Sequence, residues 1–325
     1  MRSNNSLRRN GKYRRSMRQI LGFNFYDVFV FLFCIVFALV CVYPMWYVLV
    51  ASVTPYEEYI KGGLMLWPTG GVDLQYYKAI FSTKSFTNSM WISVSKTVIA
   101  TVLSVLVTAS MAYGVSKVHV KGMKVINALV VFNLFFTGGL IPQYILYQNL
   151  GLLRNYWVMV IPGALNITYF IIMRNYYSYS VPKSLEEAAL LDGCTDIGVF
   201  FRIVIPVSRS MLAAIALFIA VINWNDYYNY MMFISNKTNL QPFAWILRRM
   251  LVDQTMMNQV RNGAVGMGLQ LPPPMALRMA TIICAMVPSC ACIRSCRNIL
   301  PAASRWEPLR NDVIAPRCGV EHIEP

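Results

Sequence analysis

Charge is scarce in this chain. Asp, Glu, Lys and Arg together make up 13% of its 325 residues, roughly half the share found in a soluble domain. That shortage, with 57% hydrophobic residues and a mean hydropathy of +0.48, excludes an ordinary water-soluble globule and marks an integral membrane protein. Histidine is nearly missing: only His119, in a basic turn where it reads as solvated, and His322 occur. No H-E-x-x-H is present, so a zinc enzyme of that type is excluded. The sequence also lacks G-x-S-x-G, the elbow that presents a nucleophilic serine. It lacks a G-x4-G-K-[ST] loop too; Gly11-Lys12 comes nearest and fails because position 6 is serine. Without that glycine-rich phosphate cradle the chain cannot hydrolyse ATP by this route. No catalytic residue, cofactor or metal is expected.

Acids are the scarcer sign, 14 against 29 Lys and Arg. In a soluble protein a net charge of +15 would suggest nucleic acid. In a membrane protein the same excess belongs to cytoplasmic loops, and no nucleic-acid partner is expected. Residues 1–26 hold Arg2, Arg8, Arg9, Lys12, Arg14, Arg15 and Arg18 with no acid. They read as a basic cytoplasmic tail, able also to touch anionic membrane lipid. The apolar run starting near Val28 is too long for a signal-peptide core and reads as a first span that directs insertion.

The length leaves room for about six spans of roughly 20 residues. They fall near 28–53, 90–115, 125–147, 156–177 and 210–233, with a sixth beginning near Met275. This predicts an all-α membrane domain over 27–288, a cytoplasmic loop at 178–209 and both termini inside. Pro44 interrupts the first span, and Gly138, Gly139 and Pro142 mark a break in the third. The segment 234–273 falls outside, yet it carries Lys237, Arg248, Arg249 and Arg261 against Asp253. That is the wrong sign for an outer loop, although the bias weakens with loop length.

After Pro288 the character changes. Residues 289–325 hold Cys290, Cys292, Cys296 and Cys318, four prolines, scattered charge and no sustained apolar run. The C-x-C-x3-C spacing is not a structural zinc pattern. A shifted reading frame accounts for the change better. Codons can be chosen for 289–312 so that one added nucleotide before them gives ILCVYPFLQKHFAGGIPVGAVKE and then a stop. That sequence completes an apolar helix and adds a basic exit. The stretch 289–325 is therefore expected to be an aberrant, frameshifted tail that disrupts the last span.

The cytoplasmic loop carries the densest local signals. Pro182 opens it, and Ser184 with Glu187 has the spacing of a capping box. Gly193 suits the left-handed residue that closes a helix. Thr195 can cap a second helix, Asp196 favours its positive end, and Pro206 is expected to end it. Two helices this short are marginal alone in water. Leu185, Ala188, Ala189 and Leu191 could seat in a groove on another protein.

Glu187-Ala188-Ala189, three residues, Gly193, nine residues and then Ile203 to Pro206 resemble the E-A-A motif of inner-membrane permease subunits of binding-protein-dependent ABC importers. Ile205 stands where leucine is usual. Thr137–Pro142 (TGGLIP), Met173–Asn175 (MRN), Trp224–Asp226 (WND) and Pro273–Ala280 (PPMALRMA) are similar to the carbohydrate-uptake, maltose-permease-like branch, closest to permeases for complex oligosaccharides. The resemblance runs from about residue 20 to Pro288.

The resemblance implies a six-span permease of the MetI-like type I fold with cytoplasmic coupling helices. It implies a second homologous permease, a cytoplasmic ABC ATPase, a periplasmic or lipid-anchored extracellular solute-binding protein and an oligosaccharide substrate. Glu187, Ala188, Ala189, Gly193, Ile203 and Pro206 would couple the subunit to the ATPase. The polar cluster Asn223, Trp224, Asn225, Asp226 and Tyr227 would form a wall of the sugar path, since such groups are costly at membrane depth without a cavity or a partner. A helix end or a contact between spans would account for the same residues. A same-superfamily permease for a non-sugar solute, and a non-functional product of the damaged tail, are the alternatives.

Overall fold

The computed structural model describes residues 25–304, apart from 63–64, 69, 118–119, 236 and most of 253–273. His119, Arg261 and the tail beyond 304 therefore lie outside the described residues. Among those described, every regular element is a helix. In chain order they are α1 (Phe25–Val53), α2 (Tyr56–Ile60), α3 (Gln75–Ser82), α4 (Lys84–Ser116), α5 (Met123–Phe135), α6 (Leu140–Asn149) and α7 (Ile167–Tyr179). Then come α8 (Lys183–Leu191), α9 (Asp196–Val207), α10 (Arg209–Asn225), α11 (Tyr228–Phe233), α12 (Phe243–Val252) and α13 (Pro274–Ser304).

Two of these helices, over Val28–Val53 and Lys84–Ser116, are long and apolar enough to cross a bilayer singly, and α9 with α10 makes a third if the bent pair counts as one. The third, fourth and fifth expected spans are broken. The third is split into α5 and α6 by 136–139, where Gly139 sits at φ +84°, a conformation that favours glycine. The fourth begins as a short 3-10 turn, Tyr156–Met159, and becomes α-helical only at Ile167. Pro162 and Gly163 interrupt it, and Asn166 Oδ1 restarts it by accepting the Thr168 and Tyr169 N–H groups at 3.1 and 3.3 Å. The fifth is divided at Asp226. The last helix does not stop at Pro288 but continues to Ser304.

The organising element is α4. Its 33 residues make about 50 Å of helix, against roughly 30 Å of hydrocarbon. One face is small and buried: Ser89, Ser93, Ala100, Ser104, Thr108 and Ala112. Small side chains let neighbouring backbones approach closely, and α7 and α10 pack there. The two ends of α4 sit in different cores. Near its start, Phe86 meets the Phe243 ring edge-on at 5.1 Å, and the Phe243 N–H donates to Ser93 Oγ at 2.6 Å. Just beyond its other end, Lys117 pairs with Glu186. The rise from Ser93 to Lys117 is about 36 Å, so α12 and the α8–α9 hairpin lie roughly one bilayer thickness apart along α4. By contrast α1 packs on α13 and buries only its last turn, Val50, Ala51 and Ser52, while most of the rest of its length is exposed. It is apolar all round, as a helix against lipid or another subunit must be.

Candidate functional site

The α8–α9 hairpin is built by local rules. Pro182 takes the N-cap of α8 with no side-chain cap. The expected capping box is therefore out of register: Ser184 and Glu187 both lie inside the helix, and proline fixes where it starts. Glu186 falls in the first turn, where a carboxylate favours the helix dipole. The far end closes as a Schellman motif. Gly193 N–H donates to Leu190 O at 3.1 Å, Cys194 N–H donates to Ala189 O at 3.0 Å, and Gly193 has φ +82°. Thr195 Oγ1 then caps α9 by accepting Gly198 N–H at 3.2 Å. Thr195→Ala is expected to cost the hairpin about 1 kcal/mol. Amide exchange at 197–199 measured in the assembled protein should speed up by about fivefold, while α8 is unaffected.

Pro206 does not end the second helix as expected. The helix shifts to a wider π register over Phe200–Val204, with Ile205 N–H donating to Phe200 O. Proline has no N–H to offer the preceding turn, and the π turn absorbs the mismatch. The helix ends at Ser208, whose Oγ and N–H both donate to Val204 O at 2.6 and 2.9 Å. There the chain bends by 80° into α10.

One side of the hairpin is seated in the protein. Ala189, Val199, Phe200, Ile203 and Val204 are buried against Tyr113, Phe170, Met173 and Tyr177. Phe200 stacks on Tyr113 at 5.0 Å, and Tyr113 meets Tyr177 edge-on at 5.9 Å. Lys117 adds an ion pair to Glu186 and lies 4.7 Å above the Tyr113 ring. Burial works against the Lys117 ammonium, but its bonds to Glu186 and Tyr113 outweigh that and raise its pKa.

The motif residues therefore divide. Ala189 and Ile203 face inward, whereas Glu187, Ala188, Gly193 and Pro206 are exposed. The surface also carries Leu190, Leu191 (89% exposed), Ile197 (72%) and Phe201; of these only Leu191 belongs to the residues expected to seat in a partner groove, while Leu185 and Ala189, expected beside it, pack inward. The doubled leucine at 190–191 is the sequence signal, because the two cannot both face the core of one helix.

The second candidate lies where α10 breaks. Trp224 is buried, its ring lies tilted 6.2 Å from Phe243, and it donates its indole N–H to Ala285 O at 3.2 Å. Asn223 and Asn225 donate back to Ile219 O and Val221 O of their own helix. Asp226 gathers four donors: Lys96 Nζ at 2.6 Å and Asn229 Nδ2 at 2.9 Å on Oδ2, and the N–H groups of Tyr228 and Asn229 on Oδ1. Lys96 Nζ also reaches Asp226 O at 3.1 Å, and its side chain is 1% exposed. Tyr227 lies apart, with the Arg248 guanidinium 4.5 Å over its ring. Lys96 was recoverable from sequence as a lone ammonium inside an apolar run. A cavity of about 160 Å3 lies beside this knot, lined by Val94, Thr97, Val98, Ala220, Val221, Trp224, Pro288 and Ser289.

Comparison with known proteins gives a consistent result. Residues 123–303 match the family described as binding-protein-dependent transport system inner membrane component. The polygalacturonan/rhamnogalacturonan transport system permease protein YtcP of Bacillus subtilis is 37% identical over 268 residues, 81% of this chain and 90% of that protein. Protein LplC of Bacillus subtilis is 35% identical over 251 residues, covering 77% and 82%. A crystal structure of a bacterial ABC transporter involved in the import of the acidic polysaccharide alginate contains a chain that superposes with a TM-score of 0.77. The two are 26% identical, with 88% of this chain and 98% of that one covered.

Proposed function

The chain belongs to the binding-protein-dependent transport system inner membrane components, and on that footing we propose that it forms the membrane path of an ABC importer for an oligosaccharide. It is a transport subunit rather than an enzyme, and the ATPase is a separate polypeptide. The observation that carries the reading is the hairpin. It is a locally capped element anchored on one side by Ala189, Phe200 and Ile203, and it offers Leu190, Leu191, Ile197 and Phe201 on the other. A rigid apolar knob around Glu187, Ala188 and Gly193 suits a groove on a soluble motor. Ala189, Ile203 and Pro206 hold its shape.

The remaining assignments follow from this. A second homologous permease completes the path, and a solute-binding protein delivers sugar at the far face. The chain makes six crossings, three of them by broken helices, with 27–288 as the membrane domain, the coupling loop at 178–209 and both termini in the cytoplasm beside the basic tail 1–26. Asn223, Trp224, Asn225, Asp226 and Tyr227 frame the path. The bonds of Trp224 and Asp226 to neighbouring helices support a framing role rather than direct contact with sugar. The region 289–325 is read as frameshifted. The cavity at Ser289 supports this, because an isoleucine at that position, as the shifted frame encodes, would help to fill it. Sequencing the DNA across the Pro288 codon in independent isolates tests that point, and an unbroken frame would reject it.

The test of the main reading is proximity. Cysteine placed at position 188 should crosslink to a nucleotide-binding subunit in membranes that contain the assembled transporter. Labelling of that cysteine from the outside of intact cells would reject the reading.

A further inference from the structure

Among the described residues 234–252 there are three cations, Lys237, Arg248 and Arg249, and no acid. This segment sits at the end of α4 opposite the coupling hairpin, held by the Phe243 bond to Ser93 and by Arg278 Nε donating to Met250 O at 3.2 Å. On the permease reading that is the outer face, where membrane proteins avoid Lys and Arg. The cations are not spread at random. Arg248 and Arg249 line one cavity of about 390 Å3 with Trp245 and Val252, a size within the roughly 300–1,000 Å3 of small-ligand sites. Arg248 is exposed, and its guanidinium is steadied 4.5 Å over Tyr227. A guanidinium lying on a ring keeps its N–H fork directed sideways, which suits two-point binding of a carboxylate. Trp245 is partly exposed and packs 5.7 Å from the buried Tyr230 ring. An aromatic face beside a carboxylate-binding fork matches a sugar ring that carries an acid.

We infer that this cavity on α12 is a receiving subsite for acidic oligosaccharides, with Arg248 taking a uronate carboxylate and Trp245 the ring. The inference rests on the permease reading and narrows its substrate class. Neutral sugars would gain only ordinary hydrogen bonds from the cations, whereas a polyanion approaching the membrane would be drawn to them and would form charge-assisted ones.

The test uses the assembled transporter, purified with its ATPase, partner permease and binding protein and placed in vesicles. Uptake is compared for oligogalacturonate and its methyl ester, which keeps chain length and rings and removes the charge. The wild type should show a KM at least tenfold lower for the acid. Arg248→Gln should shrink the ester-to-acid KM ratio about tenfold, the value of one charged hydrogen-bonding contact. Arg248→Lys should keep part of the preference, and Trp245→Ala should raise KM for both forms. Equal KM values in the wild type, or a ratio untouched in Arg248→Gln, would overturn the subsite. So would a response of Arg248→Gln only to the anionic-lipid content of the vesicles, which would make Arg248 a headgroup anchor. Uptake of neutral oligosaccharides alone would remove the subsite and leave the permease reading standing. Failure of ATP-driven uptake for every oligosaccharide would remove both.

Discussion

Gly193→Asp should cut ATP-driven uptake by tenfold or more while the transporter still assembles and hydrolyses ATP. Strain and charge act separately at this position. At φ +82° a residue with a side chain is strained, by about 1 kcal/mol, and Asp is among the residues that tolerate this region best. A Cβ at this position meets nothing within 4 Å, so the hairpin has room for it. The damage comes instead from a carboxylate set beside Leu190, Leu191 and Ile197, which must lose its water when the hairpin seats. Desolvating an unpaired charge in a contact costs roughly 2–5 kcal/mol. Gly193→Asn supplies the control, with a similar backbone preference and no charge, and should keep most of the uptake. The two are compared by uptake and ATPase rate in the same vesicles. Wild-type uptake by the Asp variant, or equal losses in both, would show that charge at this site does not matter.

The second large effect concerns Lys96 and Asp226. Replacing Lys96 with Met leaves a carboxylate at membrane depth with only Asn229 and two backbone donors. Replacing Asp226 with Asn leaves an almost fully enclosed ammonium. Breaking one member of a buried pair typically costs 3–5 kcal/mol, whereas replacing both members can be nearly neutral. Either single substitution is therefore expected to lower the thermal stability and yield of the complex sharply. The double substitution should recover more than half of the loss. Thermal unfolding in detergent reads this as a double-mutant cycle, and additive losses would show that the two groups are not coupled. Because the pair ties α4 to the break between α10 and α11, substitution at Asp226 should disturb assembly before it disturbs sugar handling.

Much of the hairpin was legible in the sequence because its signals act over a few residues. Gly193 closes α8 and Thr195 caps α9 by rules that need no tertiary context, and both stand where the spacing put them. Gly138 and Gly139 marked the break between α5 and α6 for the same reason. Errors came where two local signals competed. Ser184 and Glu187 satisfy a capping pattern, but Pro182 had already fixed the helix start. Pro206 reads as a terminator, yet a π turn carried the helix past it to Ser208. Long-range pairing was hidden. Nothing within reach of Asp226 along the chain points to Lys96, 130 residues earlier. That Leu190 and Leu191 both face outward while Ala189 turns inward depends on where Tyr113 and Tyr177 sit, and that is decided by α4 and α7.

The corner at Ser208 has a mechanical meaning. Two stiff rods joined near a right angle work as a bell crank. On the permease reading, a sideways push on the short arm at the membrane surface would become a swing of the long arm through the bilayer. The gearing depends on how firmly the pivot is held, and Ser208 is fully enclosed with both of its donors engaged on Val204 O. A loosened pivot would let the motor turn while the arm inside the membrane stood still.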